Sequence, residues 1–323
     1  MSGAALMTVG RAGGAHGFSL SPPPPTVARV TDALAAAALS ILRCPHCGSP
    51  LSPGADTSDA PGSTRALRSV RCERGHTIDV ARQGYVNLLT GAGAKGLAAD
   101  TPAMVQARAH VHEAGVFTAL AEHLAGLAAR EQLGPGGVLD LGCGTGYYTA
   151  AVLDALGERV GVGLDLSTAA VKRAARAHPR LAAVVADAWA PLPLADASIA
   201  LAMCVFAPRH PAELHRVLAP GGRLVVVTPG PGHLRSLVDD LHLLEVDPAK
   251  EERLARQLSD FTHVRTDVLD YEVAADRDLA LAMIAMGPSA WHHTPEELAA
   301  TIAAGPATRR LDICVRIGVF ERT

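Results

Sequence analysis

Apolar residues in the central part of the chain fall into short runs, several ending in an acid, separated by stretches with helical spacing. The run Gly137-Val-Leu-Asp-Leu141 reads as a buried strand; it breaks into a glycine-rich turn, and Tyr147 to Leu156 then reads as a helix. Val160-Gly-Val-Gly-Leu-Asp165 predicts a second strand, Ala182-Ala-Val-Val-Ala-Asp187 a third and Ser198 to Val205 a fourth. His210 to Leu218 reads as a helix, Pro220-Gly-Gly-Arg223 as a turn and Leu224 to Thr228 as a fifth strand. Strands alternating with helices in this way predict an α/β fold, a Rossmann-like doubly wound parallel sheet with its ligand at the strand ends. Ala103 to Leu127 predicts a helical region packed ahead of the first strand.

The first third of the chain has a different pattern. Residues 1–30 are rich in Gly, Ala, Ser and Pro, with prolines at 22 to 25, and residues 1–40 are expected as a disordered extension; within it, the alanine-rich stretch from Thr31 could turn one short helix. That stretch is too short to span a bilayer and lies too far behind a polar leader to read as a signal peptide, so a cytoplasmic location without membrane attachment is expected. Next come two cysteine-bearing clusters, Cys44-Pro-His-Cys47 and Cys72-Glu-Arg-Gly-His76. A Cys-x-x-Cys knuckle lets two thiolates reach one ion, and the Cys-x-x-x-His pair completes a tetrahedral set of three thiolates and an imidazole, a structural zinc site with no position left open. A redox Cys-x-x-Cys is the competing reading, without the βαβ pattern that usually surrounds one. Cys143, Cys204 and Cys314 stand alone and read as small buried residues. Residues 41–90 are thus expected as a zinc ribbon interrupted by a loop between Ser49 and Ser69. Gly91 to Gly96 is expected as a linker, and residues 91–323 as the catalytic domain. Net charge is −3, divided as +4 over residues 1–99 and −7 over the rest, a mildly basic head suited to phosphates. Arg65, Arg68, Arg71, Arg74 and Arg82 are the candidate phosphate contacts; a solvated arginine-rich surface is the plainer alternative.

The turn after the first strand, Gly142-Cys-Gly-Thr-Gly146, is Gly-x-Gly-x-Gly and not the Gly-x-Gly-x-x-Gly that cradles a pyrophosphate. Asp140 inside the strand end would repel a phosphate and attract an ammonium. Asp165 closes the second strand, placed to accept hydrogen bonds from ribose hydroxyls, and Asp187 closes the third. Acids in this register with Gly142, Gly144 and Gly146 point to S-adenosylmethionine; a bare Rossmann-like scaffold is the alternative.

These segments together carry a resemblance. The Cys-Pro-x-Cys and Cys-x-x-x-His clusters, Asp79-Val-Ala-Arg-Gln-Gly-Tyr-Val-Asn-Leu-Leu89, Asp100-Thr-Pro-Ala-Met-Val-Gln-Ala-Arg108, Glu113-Ala-Gly-Val-Phe117 and Thr228-Pro-Gly-Pro-Gly-His-Leu234 resemble the 23S rRNA (guanine-N1)-methyltransferases from about Leu42 onward. Ala285-Met-Gly-Pro-Ser-Ala-Trp-His292 is most similar to the Gram-positive, tylosin-resistance-like branch. The resemblance implies a class I methyltransferase sheet with a small N-terminal zinc ribbon, zinc on Cys44, Cys47, Cys72 and His76, a 23S rRNA hairpin as partner, and a homodimer. It places cofactor contacts on Gly144, Thr145, His233 and Phe117, the last a tyrosine in a relative; His233 could otherwise be a surface loop residue.

The chemistry this implies is in-line methyl transfer to a ring nitrogen, in which the protein holds the nucleophile collinear with the sulfonium–methyl bond. Guanine N1 must also shed a proton. Cys204-Val-Phe-Ala-Pro-Arg209, after the fourth strand, lacks the carboxamide of adenine-N6 enzymes. In it Phe206 could stack on a base or be core, and Arg209 could reach O6 or a phosphate or be a solvated turn; Trp291 and His292 could line the pocket or simply pack. No side chain identifies itself as the general base. Two other functions fit parts of the chain: a small-molecule methyltransferase acting on a quinone or antibiotic intermediate, and a non-catalytic zinc-ribbon RNA-binding protein.

Overall fold

The computed structural model describes residues 32–54, 67–90, 99–237, 250–287 and 294–323. A helix α1 (Asp32–Ile41) leads into three short strands, β1 (Leu51–Pro53), β2 (Ser69–Cys72) and β3 (Thr77–Asp79), paired antiparallel in that order. The helix falls on the alanine-rich stretch from Thr31 that could turn one. Its Ala38, Leu39 and Ile41 are buried, and burial of this apolar face outweighs its lack of a basic last turn.

The main sheet has eight strands. β4 (Val86–Asn87) lies at one edge, followed inward by β7 (Leu181–Val185), β6 (Gly161–Asp165), β5 (Gly137–Leu141), β8 (Ile199–Val205) and β9 (Leu218–Pro229), all parallel. The five parallel strands expected from the pattern are therefore present, and β5, flanked by β6 and β8, is where the strand order reverses. Pro220–Arg223 is not a free turn but an irregular stretch of β9, whose partners jump from Ile199↔Leu218 to Leu201↔Arg223 around Gly221 (φ +72°). The far edge is a long antiparallel pair, β10 (Phe261–Asp276) and β11 (Thr308–Arg322), with β11 antiparallel to β9. The sheet is thus mixed rather than wholly parallel.

Helices α2 (Pro102–Glu113) and α3 (Thr118–Arg130) form the expected helical region, broken at Gly115, whose φ of +78° an L side chain adopts only under strain. With α4 (Tyr147–Ala155) and α5 (Thr168–Ala174) they cover one face of the sheet, their Leu120, Leu124, Val152 and Val171 packed with Val138, Leu201 and Met203. On the other face, α6 (Pro211–Val217) is joined by α1 and the ribbon. Ile41, Cys44, Leu51, Val70, Cys72 and Leu88 lie in one buried cluster with Leu139, Leu141, Val162 and Leu164. The connection from β7 to β8 contains no helix. Arg43 donates its backbone N–H to Pro193 (2.8 Å) and Ala195 donates to Ile41 (2.8 Å), so α1 and the ribbon supply the layer there. Three further helices, α7 (Lys250–Gln257), α8 (Arg277–Ala285) and α9 (Pro295–Ala304), flank the β10–β11 pair in sequence. Among the described residues no helix is long and apolar enough to cross a membrane.

Candidate zinc centre and cofactor crevice

Two tight turns present the metal ligands. Gly48 (φ +72°) donates its N–H to Cys44 O, and Gly75 (φ +85°) donates to Cys72 O, so each turn closes on the cysteine that opens it. Cys44, Cys47, Cys72 and His76 converge until their ligand atoms all lie within 4.8 Å of one another. Cys47 Sγ and Cys72 Sγ are 3.6 Å apart, and His76 Nδ1 is 3.6 Å from Cys44 Sγ and 3.4 Å from Cys72 Sγ. A tetrahedron built on Zn–S bonds of ~2.3 Å has edges of about 3.7 Å, close to these three separations, so the group fits a zinc ion. Hydrogen bonding from Ser49, first through its side chain, brings the Cys47 thiol down to about 6, which favours the thiolate; burial pushes Cys44 up. His46 is no ligand; its ring lies 5.0 Å from that of His76. Arg68, Arg71, Arg74 and Arg82 are exposed on the ribbon segment, while Arg65 lies outside the described residues.

The second site lies at the carboxyl ends of β5, β6 and β7, beside the strand-order reversal, where open α/β sheets bind ligands. Gly142, Gly144 and Gly146 have φ of +77°, +55° and +79°. A Cβ on Gly142 would lie 2.5 Å from Ala207 Cβ, and one on Gly146 would lie 2.9 Å from Ala177 Cβ and 3.1 Å from Ala174 Cα. The turn is thus closed to side chains at both ends. Asp140 is buried (1% exposed); Thr149 Oγ1 donates to its Oδ2, while its Oδ1 has no partner. Burial lifts this carboxyl to about 7. Asp165 is held by two backbone donors, Gly144 N–H on Oδ2 (2.9 Å) and Ser167 N–H on Oδ1 (2.8 Å); burial raises its pKa and those donors oppose the shift. Asp187 Oδ1 accepts from Trp189 N–H (2.8 Å). A buried carboxylate oxygen with no partner beside a side-chain-free turn suits a cationic amino group, and these residues fit S-adenosylmethionine.

Thr145 and Phe117 meet through a residue the sequence reading did not single out. Thr145 Oγ1 pairs with His112 Nδ1 (3.3 Å), and the His112 ring stacks on Tyr147 at 4.1 Å and meets Phe117 edge-on. Burial, then the Arg108 charge, drive His112 down to about 3, so it stays a neutral imidazole. Arg108, which a Cβ on Gly144 would meet at 3.5 Å, donates to Met286 O (3.0 Å) and pairs with Asp100. Spacing gave no signal for this, because His112 and Arg108 reach the glycine turn only through the packing of α2. Phe117 is fully buried, consistent with a packing role for its ring. His233 Nδ1 accepts from Cys314 N–H (3.2 Å), and its ring runs nearly parallel to Phe206. Arg209 Nη1 donates to Ala207 O (3.3 Å) while its buried Nε has no partner. Burial pushes Cys204 up to about 12 and Cys143 well above the ordinary thiol value, so neither is a thiolate nucleophile at neutral pH. Trp291 and His292 lie outside the described residues.

Residues 42–91 match the family model described as RlmA, N-terminal, and residues 138–222 match the methyltransferase domain family. The chain is 48% identical to the 23S rRNA (guanine(748)-N(1))-methyltransferase of Streptomyces fradiae over 86% of its own length and 95% of the relative's. It is 45% identical to a Micromonospora griseorubida chain named for guanine-N1 methylation of 23S rRNA, over 87% and 97% of the two lengths. A Bacillus subtilis chain named for the same reaction is 29% identical, over 87% and 97%. With a ribbon whose ligands close on a zinc-sized tetrahedron and an S-adenosylmethionine-type crevice in one chain, the protein belongs to the 23S rRNA (guanine-N1)-methyltransferase family.

Proposed function

We propose that this protein transfers the methyl group of S-adenosylmethionine to N1 of a guanine in a 23S rRNA hairpin. The observation that carries the reading is the pairing, in one chain, of the four-ligand RlmA-type ribbon with the crevice around Asp140. Residues 41–90 guide the RNA, with exposed Arg68, Arg71, Arg74 and Arg82 meeting phosphates, and residues 91–323 carry the transfer.

In the crevice, Asp140 Oδ1 takes the amino group of the cofactor, Asp165 the ribose hydroxyls, and Asp187 lies toward the adenine. Gly142, Gly144, Thr145 and Gly146 let the backbone approach, with Phe117 and His233 on the remaining sides. When bound, the cofactor supplies a methyl group already activated on a sulfonium. The protein's work is then to hold guanine N1 in line with it and to exclude water. An internal base reaches such a crevice only after being unstacked and turned out of its hairpin. A homodimer, a cytoplasmic location and tylosin-type resistance complete the proposal.

The test is transfer of tritiated methyl to 23S rRNA transcribed without modifications, followed by nucleoside analysis and mapping. The product expected is 1-methylguanosine, with guanine 748, the position in the Streptomyces relative's name, examined first. Label absent from RNA, with protein that still binds cofactor and zinc, would turn the reading to a small-molecule methyltransferase.

A further inference from the structure

We propose that Phe206, flanked by His233, is the stacking platform on which the target guanine rests once it has left its hairpin; this rests on the RNA-methylating function proposed above. Three observations meet at this residue. Its φ is +53°, a left-handed conformation in which a bulky side chain is an outlier. Strain of that kind clusters at functional sites, where surrounding contacts enforce it. Here the Phe206 N–H is fixed by a bond to Val227 O (3.1 Å).

The second observation is exposure. Phe206 is 40% exposed, directly after the buried strand residue Val205. Core packing, the plainer account of a phenylalanine here, would have buried the ring, so burial does not explain the strained backbone. The ring is presented at the carboxyl end of β8, next to β5 where the strand order reverses.

The third is its neighbours. The Phe206 ring is 5.8 Å from that of Phe117 and tilted by 55°, and 6.1 Å from that of His233 and only 24° from parallel. His233 is itself fixed by the Cys314 N–H. The next residue, Ala207, abuts the glycine turn at Gly142. An exposed π-face beside a second, nearly parallel ring, adjoining the turn that approaches the cofactor, is the chemistry that holds an extruded base. Trp189 is more exposed (59%), but it follows β7, three strands away from β8.

The test compares Phe206→Tyr, Phe206→Leu and Phe206→Gly in the full chain, by methylation kinetics on 23S rRNA transcript, calorimetric cofactor binding and thermal melting. Phe206→Tyr keeps the π-face and should stay within about threefold of wild type, while Phe206→Leu should lose roughly tenfold or more in kcat/KM for RNA with cofactor affinity within about twofold. Phe206→Gly relieves the left-handed position and should melt no lower than wild type while losing methylation to a similar extent. Wild-type rates in Phe206→Leu and Phe206→Gly would overturn the proposal, as would cofactor affinity falling in step with methylation. If the wild-type protein itself leaves guanine unmethylated, the functional reading fails instead.

Discussion

The zinc centre and the cofactor crevice achieve convergence by opposite means. In the ribbon, strands of three or four residues bring four side chains from two turns to the corners of a tetrahedron. So little sheet buries little by itself, and a bound metal would add to its stability. In the crevice the glycine conformations and the backbone bonds to Asp165 are fixed by a sheet already buried on both faces, with Asp140 as an unpaired charge site. One site gathers side chains from short turns; the other is shaped by the backbone of the sheet. The two are nonetheless joined, because α1 and the ribbon form the covering layer where the connection from β7 to β8 has no helix.

The largest effect should come from removing the metal. Cys72→Ser is expected to abolish zinc binding and RNA methylation and to lower the melting temperature of the whole chain in a single transition, followed by calorimetry with parallel metal analysis. Two separate transitions would show a ribbon that folds independently, and the covering-layer account would fall. Next is the preformed side. Gly142→Ala introduces both a left-handed alanine and the overlap with Ala207, a cost of roughly 2–4 kcal/mol in denaturant unfolding. Adding Ala207→Gly should recover the overlap part only; a double variant no more stable than Gly142→Ala would refute the steric account.

Asp140→Asn sharpens the contrast through pH. The folded carboxyl titrates near 7 against an ordinary 3.8, so between these values the folded state holds more protons than the unfolded chain. Asp140 therefore makes the stability of the cofactor-free protein fall as pH climbs from about 4 to about 7, on the order of 1 kcal/mol per pH unit, while His112, held down to about 3, acts the other way up to its ordinary 6.5; the expected outcome is that wild type loses stability relative to Asp140→Asn across that range. Cofactor affinity should rise over the upper part of that range as the carboxylate forms, and Asp140→Asn should flatten the rise in calorimetric titrations. The smallest effect expected is from Ser167→Ala. Ser167 Oγ caps α5 at Ala170 N–H (3.3 Å) and donates to Asp100 O (2.7 Å), and its loss should cost about 1 kcal/mol, seen as a melting shift of a few degrees.

Much of this was legible in the sequence where a local rule sufficed. The zinc ligands follow from spacing within two turns, and the parallel strands from short apolar runs. The β10–β11 pair escaped because Phe261–Asp276 is exposed along much of its length and rich in charge. Its partner did carry a signal: Leu311, Ile313, Val315, Ile317 and Val319 alternate with a period of two, and all are buried. The environment of Thr145 was not legible, since His112 reaches it only through the packing of α2 on the glycine turn. Nor was the covering layer, because nothing local in Ile41 or Cys44 says which face of a distant sheet they bury.

The edge strand β4 has a consequence for synthesis. Val86 pairs with Val184, so this strand, just after the ribbon, leaves the ribosome about 100 residues ahead of the backbone it must bond. At ~5–20 residues per second that is a wait of roughly 5–20 s, during which the nascent ribbon exposes the apolar surface that will later meet β5 and β6. Metal loading needs only residues 44 to 76, so all four ligands have left the ribosome well before the sheet exists to receive the ribbon.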